Sequence, residues 1–161
     1  MAKCDHGYVV VGLISDTHGL LRPEVFDALE GVEIILHAGD VGGSAILTQL
    51  SSIAPVRAVY GNTDAPGEPG LVSEIGLRIE GHTIHVSHGY ELGRPTPERL
   101  LVKYEADVLV YGHTHRPLIE RSGHRLVVNP GAAGPRRFDL KPSVARLTLT
   151  AGCADAQLVW L

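Results

Sequence analysis

The chain has 161 residues, 44% of them hydrophobic and 20% charged, which are the proportions of an ordinary globular protein rather than a disordered or fibrous one. That length suffices for one domain, residues 1–161, to bury a core without disulfide staples. A formal net charge of −4 with no Lys/Arg run excludes the long-range field that gathers nucleic acid or an anionic membrane, so partners have to be recognised locally.

The two cysteines, Cys4 and Cys153, lie near opposite termini and do not read as a disulfide framework, which fits a reducing cytoplasm. No apolar run approaches the roughly 20 residues that span a bilayer. Residues 1–7 lack the charged-then-apolar layout of a secretion signal. The expected location is the cytoplasm, with no membrane partner.

Taken in chain order, residues 8–15 form a continuous apolar, β-branched run, expected to be a strand covered on both faces. Residues 22–30 carry Val25, Phe26 and Leu29 at helical spacing, with Pro23 in the first turn and Gly31 placed to stop the helix. A strand over 33–37, a helix over 44–51 and a strand over 56–60 follow, then a loop over 61–70 rich in Gly, Pro and Asp. Residues 72–80 and 82–87 flank Gly81 as a hairpin, and a helix is predicted over 96–106. Strands are predicted over 107–111, 118–121, 125–128, 144–150 and 157–161, with Trp160 expected to cap the core. About ten strands and three helices in a mixed α/β pattern imply two stacked mixed β-sheets flanked by helices.

The polar clusters fall just past the C-terminal ends of these strands, where open α/β sheets gather ligands. Ser15-Asp16-Thr17-His18 places an Asp and a His two apart; in extended backbone they would project to one side. His37-Ala38-Gly39-Asp40 lets the chain turn at Gly39 and presents the Asp40 carboxylate. Gly61-Asn62-Thr63-Asp64 offers an amide oxygen and a carboxylate. Ser87-His88-Gly89 and Gly112-His113-Thr114-His115 supply three imidazoles. Each motif alone also fits a cap, a turn or a solvent-facing His. Their joint occurrence at successive strand ends favours a metal site.

The order Asp-x-His, Gly-Asp, Gly-Asn, His-Gly, Gly-His-x-His across residues 14–115 resembles the calcineurin-like metallophosphoesterase superfamily. The 14–19 opening, His37 before Ala38-Gly39-Asp40, and Val128-Asn129-Pro130-Gly131 followed by Pro135-Arg136 resemble its small YfcE-like phosphodiesterase branch. The resemblance implies a four-layer metallophosphoesterase sandwich and two divalent transition metal ions. Asp16, His18 and His115 would hold one ion, Asn62, His88 and His113 the other, and Asp40 would bridge them. Manganese is the first expectation, with iron, nickel and zinc as alternatives. Two cations about 3.5–4 Å apart would activate a bridging water, the metal-bridging hydroxide attacking a small-molecule phosphodiester in line. Asp16, Asp40, Asn62, Asp64 and His88 are thus the expected catalytic set.

One position departs from the family's usual pattern. Many relatives carry His where this chain has Thr63, and a hydroxyl is no general acid near pH 7. Activated substrates are therefore expected, and the resemblance to the phosphodiesterase branch implies that they are diesters; nucleic acid enters only as such a substrate, and Asp64 orients the loop. The rival reading is a protein-interaction scaffold like the retromer subunit of similar fold. Hydrolysis of another bond, such as an amide, and a homo-oligomeric state stay open.

Overall fold

The computed structural model describes residues 7–161. Cys4 and most of the 1–7 lead-in lie outside the described residues, and Cys153 is exposed. One sheet contains β1 (Val9–Ile14), β2 (Ile34–His37), β3 (Val56–Val59), β4 (Leu71–Val72), β10 (Ser143–Thr150) and β11 (Cys153–Trp160), in the order β11-β10-β1-β2-β3-β4. The other contains β5 (Glu74–Ile79), β6 (His82–Ser87), β7 (Val108–Val110), β8 (Leu118–Ser122) and β9 (Arg125–Asn129), in the order β5-β6-β7-β9-β8. Both sheets are mixed: β1 to β4 run parallel and β10 and β11 antiparallel, while β6, β7 and β9 run parallel between two hairpin partners.

Alternation along the strands sorts side chains into layers. Val11 and Leu13 of β1 join Leu36, Val86, Val110, Val128 and Leu147 in the core between the sheets. Val10 and Ile14 face the other way. They meet Val25 and Leu29 around α1 (Glu24–Ala28) and Ile46 and Leu50 of α2 (Ser44–Leu50). Leu109 and Val127 on the far face of the second sheet pack against Leu100 of α3 (Pro97–Lys103). The result is the expected four layers. The near-continuous apolar runs of β1 and β7 follow, because both faces of each strand are covered.

The structure departs from the sequence pattern in four places. The strand expected over 72–80 divides: β4 pairs with β3 in one sheet and β5 pairs with β6 in the other, and Ser73 lies at the crossing. One uninterrupted residue pattern carries no mark of such a change of sheet. The last strand starts at Cys153, not near 157, since Ala154, Ala156 and Leu158 face the intersheet core although Ala and Asp are poor strand formers. The first helix is only five residues long, and Arg146 Nη1 secures its end by donating to the carbonyls of Ala28 (3.0 Å) and Glu30 (2.9 Å). Trp160 does not cap the core: it is 54% exposed at the end of an edge strand. That edge is partly covered, as Arg121 Nη2 donates to the Ala154 carbonyl at 2.8 Å.

Candidate metal centre

Because β1, β2 and β3 are parallel in one sheet and β6 and β7 in the other, their following loops emerge at strand C-termini. These loops carry all seven side chains proposed as ligands, and the structure brings the seven together. His115 Nε2 lies 3.4 Å and His18 Nε2 3.8 Å from Asp16 Oδ1, and the two imidazole nitrogens are 3.3 Å apart. His88 Nε2 lies 3.3 Å from Asp40 Oδ2 and 3.1 Å from Asn62 Oδ1, while His113 approaches Asn62 Oδ1 through Nδ1 at 3.2 Å. Asp40 Oδ2 is also 3.7 Å from His18 Nε2, so this carboxylate touches both groups. Asp16 reaches further than its sequence-based assignment to one group, with Oδ1 4.0 Å from His88 Nε2.

Backbone strain is concentrated here. Asp16, His18, Asp40, His113 and His115 all have positive φ, between 45° and 70°. The only other described non-glycine residues with positive φ are Glu80 and Phe138. Such conformations cost about 1–3 kcal/mol each and persist where the surroundings impose them. The extended Asp-x-His backbone expected from the sequence is therefore corrected: both residues are left-handed. Strong turns directly after the strands aim the side chains inward. Gly39, with φ +101°, completes the turn before Asp40. Gly61 is required by proximity instead, since a Cβ there would lie 2.5 Å from Asp40 N and 2.7 Å from its carboxyl carbon.

The shifts at Asp16, Asp40, His18 and His113 suit cation binding, which needs charged carboxylates and neutral imidazoles. Burial works against the Asp16 carboxylate, but the imidazole of His115 3.4 Å away, the nearby charge of His88 and the Ser15 hydroxyl outweigh it and hold its pKa below the usual range. Asp40 is likewise held low, against burial, by His88 and Thr63. Burial pushes the imidazoles of His18 and His113 down, toward the neutral form. His88 is shifted upward because Asp40 and Asp16 overcome its burial. Its Nδ1–H donates to the Ala38 carbonyl at 2.7 Å, which directs Nε2 into the centre.

The residues present fit a metal on a direct observation. Asp16 Oδ2 accepts from the Ser15 hydroxyl (2.6 Å) and the His113 N–H (3.2 Å), whereas Asp16 Oδ1 is buried with no hydrogen-bond donor. An orphaned carboxylate oxygen facing three imidazole nitrogens is costly unless a cation satisfies it. Two sets of side chains converge closely enough to share an ion: Asp16, His18 and His115, and Asp16, Asp40 and His88.

Asp64 is placed differently. Its carboxylate accepts three backbone N–H groups, from Val41 (3.0 Å), Gly42 (3.1 Å) and Gly61 (2.9 Å), and so ties the 61–64 loop to the loop after β2. His37 is fully buried and joins a chain that the sequence does not announce. Gly39 N–H donates to its Nδ1 (3.1 Å), its Nε2–H donates to Thr17 Oγ1 (3.0 Å), and that hydroxyl donates to the Val41 carbonyl (2.7 Å). A second proton on this ring would face the Gly39 donor, and burial lowers the His37 pKa to about 4.

The unfolded imidazole titrates near 6.5, so the folded state binds fewer protons between pH 6.5 and 4 and is destabilised as pH falls through that window. In chelator-treated protein the unfolding free energy should drop by up to about 3 kcal/mol across it. His37→Gln should flatten that dependence in denaturant titrations. An equally steep profile in the variant would remove His37 as its source.

Asn129 shapes the wall beside 112–115: Nδ2 donates to the Gly112 carbonyl (3.2 Å) and Thr114 Oγ1 (3.0 Å). Asn62 and Thr63 are exposed, and the Thr63 N–H donates to Asp40 Oδ1 at 3.0 Å. The Tyr90 ring lies 5.8 Å from that of His88. His82 and His85 stand outside the centre, bonded to the Thr150 carbonyl (2.7 Å) and Glu74 (3.2 Å). The Ser15 and Ala38 contacts escaped the sequence reading; a backbone carbonyl leaves no residue signal.

Residues 9–152 match the family model described as the calcineurin-like phosphoesterase superfamily domain. A "probable metallophosphoesterase" of Methanothermobacter thermautotrophicus is 39% identical over 160 residues, covering 94% of this chain and 92% of that protein. The phosphodiesterase YfcE of Escherichia coli K12 is 30% identical over 143 residues, covering 73% and 76%. Among solved structures, wild-type Vps29 of Entamoeba histolytica complexed with Zn²⁺ superposes with a TM-score of 0.75 at 26% identity, covering 94% of this chain and 99% of that one.

Proposed function

Since this chain belongs to the calcineurin-like phosphoesterase superfamily, we propose that it is a metal-dependent phosphodiesterase acting on activated diesters through a dinuclear centre. The observation that carries this reading is the buried, partnerless Asp16 Oδ1 among the Nε2 atoms of His18, His88 and His115. Asp16, His18 and His115 would hold one divalent cation and Asn62, His88 and His113 a second, with Asp40 shared. A cation pair supplies charge neutralisation for phosphate oxygens and acidification of water. Manganese is the first candidate among ions that accept mixed nitrogen and oxygen ligands.

The protein's own groups complete the site. Ser15 and the His113 amide hold Asp16 so that one oxygen points inward. The Ala38 carbonyl fixes the His88 tautomer, and Asp64 fixes the loop that presents Asn62. Thr63 supplies no acidic proton to a departing alkoxide, which favours substrates whose leaving group departs as a stable anion. The substrate in this reading is a small activated diester, and nucleic acid enters only as a possible substrate. The single domain 1–161 and a cytoplasmic location belong to the same reading; no helix among the described residues is long and apolar enough to cross a membrane.

Likeness to Vps29 structures supports a second reading, a protein-interaction scaffold. Every proposed ligand position is filled by a competent donor here, which favours the enzyme. The test is metal analysis of the purified protein followed by parallel assays with aryl diesters and monoesters. Diester hydrolysis should exceed monoester hydrolysis. Inactivity on every phosphate ester with both metal positions filled would transfer support to the scaffold.

A further inference from the structure

A cleft of about 430 Å³ opens beside the candidate centre, between the loop after β6 and the loop after β7. His113 is among its lining residues, so one end of the cleft is a proposed metal ligand. The walls carry Arg94 on one side and Arg116 on the other, with Tyr111, Pro95 and Leu118 giving apolar surface between them. Both arginines are exposed, and among the described residues neither forms an ion pair.

Both walls are firmly held. Arg99 Nη1 donates to the carbonyls of Leu92 and Arg94, each at 3.1 Å, and Pro95 is buried against Gly89. On the opposite side Asn129 anchors Gly112 and Thr114, and the Arg116 N–H donates to Thr114 Oγ1 at 3.3 Å. Two guanidinium groups free of ion pairs, carried on anchored loops beside an apolar floor, are suited to an anion, because guanidinium matches phosphate bidentately and its planar fork is preorganised for both bonds. The volume lies within the range of pockets that enclose a nucleotide-sized group. With an overall charge of −4, attraction of an anionic substrate has to come from local groups, the proposed cation pair and this arginine pair among them.

We propose that this cleft binds one ester arm of the substrate and selects diesters whose arm carries a second phosphate. The proposal rests on the phosphodiesterase reading for the position of the scissile bond, while the binding itself is independent of turnover. The probes are dithymidylate with and without a 5′-phosphate, and bis(p-nitrophenyl) phosphate, used with the manganese-loaded protein.

Calorimetry should show the 5′-phosphorylated dinucleotide binding about 10-fold or more tightly than the unphosphorylated one, an advantage that shrinks several-fold in Arg94→Gln and in Arg116→Gln. In turnover, each variant should lose at least about 10-fold more kcat/KM on the phosphorylated dinucleotide than on the aryl diester. Equal affinity for the two dinucleotides, or binding of neither, overturns the proposal, as does an equal loss on all substrates. A preserved binding difference without hydrolysis of any ester would support the cleft while overturning the phosphodiesterase reading.

Discussion

Asp40→Ala is expected to remove bound metal and hydrolysis together, with activity falling by at least about 10³-fold. The size follows from the several kcal/mol of charge stabilisation that a cation pair supplies, at about 1.36 kcal/mol per tenfold in rate. The position of Asp40 explains why one side chain has so large an effect. Oδ1 is anchored by the Thr63 N–H at 3.0 Å, which leaves Oδ2 between His18 (3.7 Å) and His88 (3.3 Å), one from each proposed ligand group. Alanine removes the shared charge and leaves His88 without its principal partner. Asp40→Asn preserves shape and can still accept from Thr63, so it separates charge from packing. Metal content by plasma mass spectrometry, with the melting temperature of the metal-free proteins as a control for folding, decides the matter. Two metals retained in the alanine variant would refute the bridging role.

Thr63→His is expected to change rates in the opposite direction. Turnover of diesters and monoesters with poor leaving groups should rise by about 10²-fold, the lower end of what a placed general acid contributes. Substrates with good leaving groups should change little. The fold permits the substitution: Thr63 is exposed, and its 3.0 Å hydrogen bond to Asp40 Oδ1 is donated by the backbone N–H, which histidine retains. An imidazole at this position would stand over the edge of the centre with solvent to protonate it. The measurement is a plot of log kcat/KM against leaving-group pKa for both proteins, expected to be flatter for the variant. Parallel lines would show that leaving-group protonation does not limit the native reaction and that Thr63 is not the source of any preference for activated esters.

The two variants probe different properties of the centre. Asp40 concerns what holds charge in the centre, and Thr63 concerns what the centre lacks. Loss of metal in the first with no gain in the second would leave a metal site whose chemistry is limited elsewhere, for example at the arginine-lined cleft.

How much of this was legible in the residues varies with the distance over which each feature is determined. The apolar run of β1, the α1–β2 alternation and the Gly81 hairpin are local patterns, and the sheets and layers they imply are those observed. The seven proposed ligands were legible for a related reason. A polar residue immediately after a buried strand has few directions open to it, so Asp16, Asp40, Asn62, His88 and His113 could be placed at one end of the sheets from their order alone. The division of residues 72–80 between two sheets, and the extension of β11 back to Cys153, depend on which neighbours those residues meet across space. So does the exposure of Trp160.

Within the centre the same boundary holds. Residue types and spacing determined that carboxylates and imidazoles collect at strand ends, since those groups are the chemistry the spacing carries. Only the tertiary structure decided that five of the seven proposed ligands have positive φ, that Asp16 Oδ1 is left without a donor, and that Asp64 serves three backbone amides. It alone decided that Arg94 and Arg116 face one cleft, although 22 positions separate them in the chain. Each of these is a relation between segments distant in sequence, set by the stacking of two sheets, and no single stretch of residues contains it.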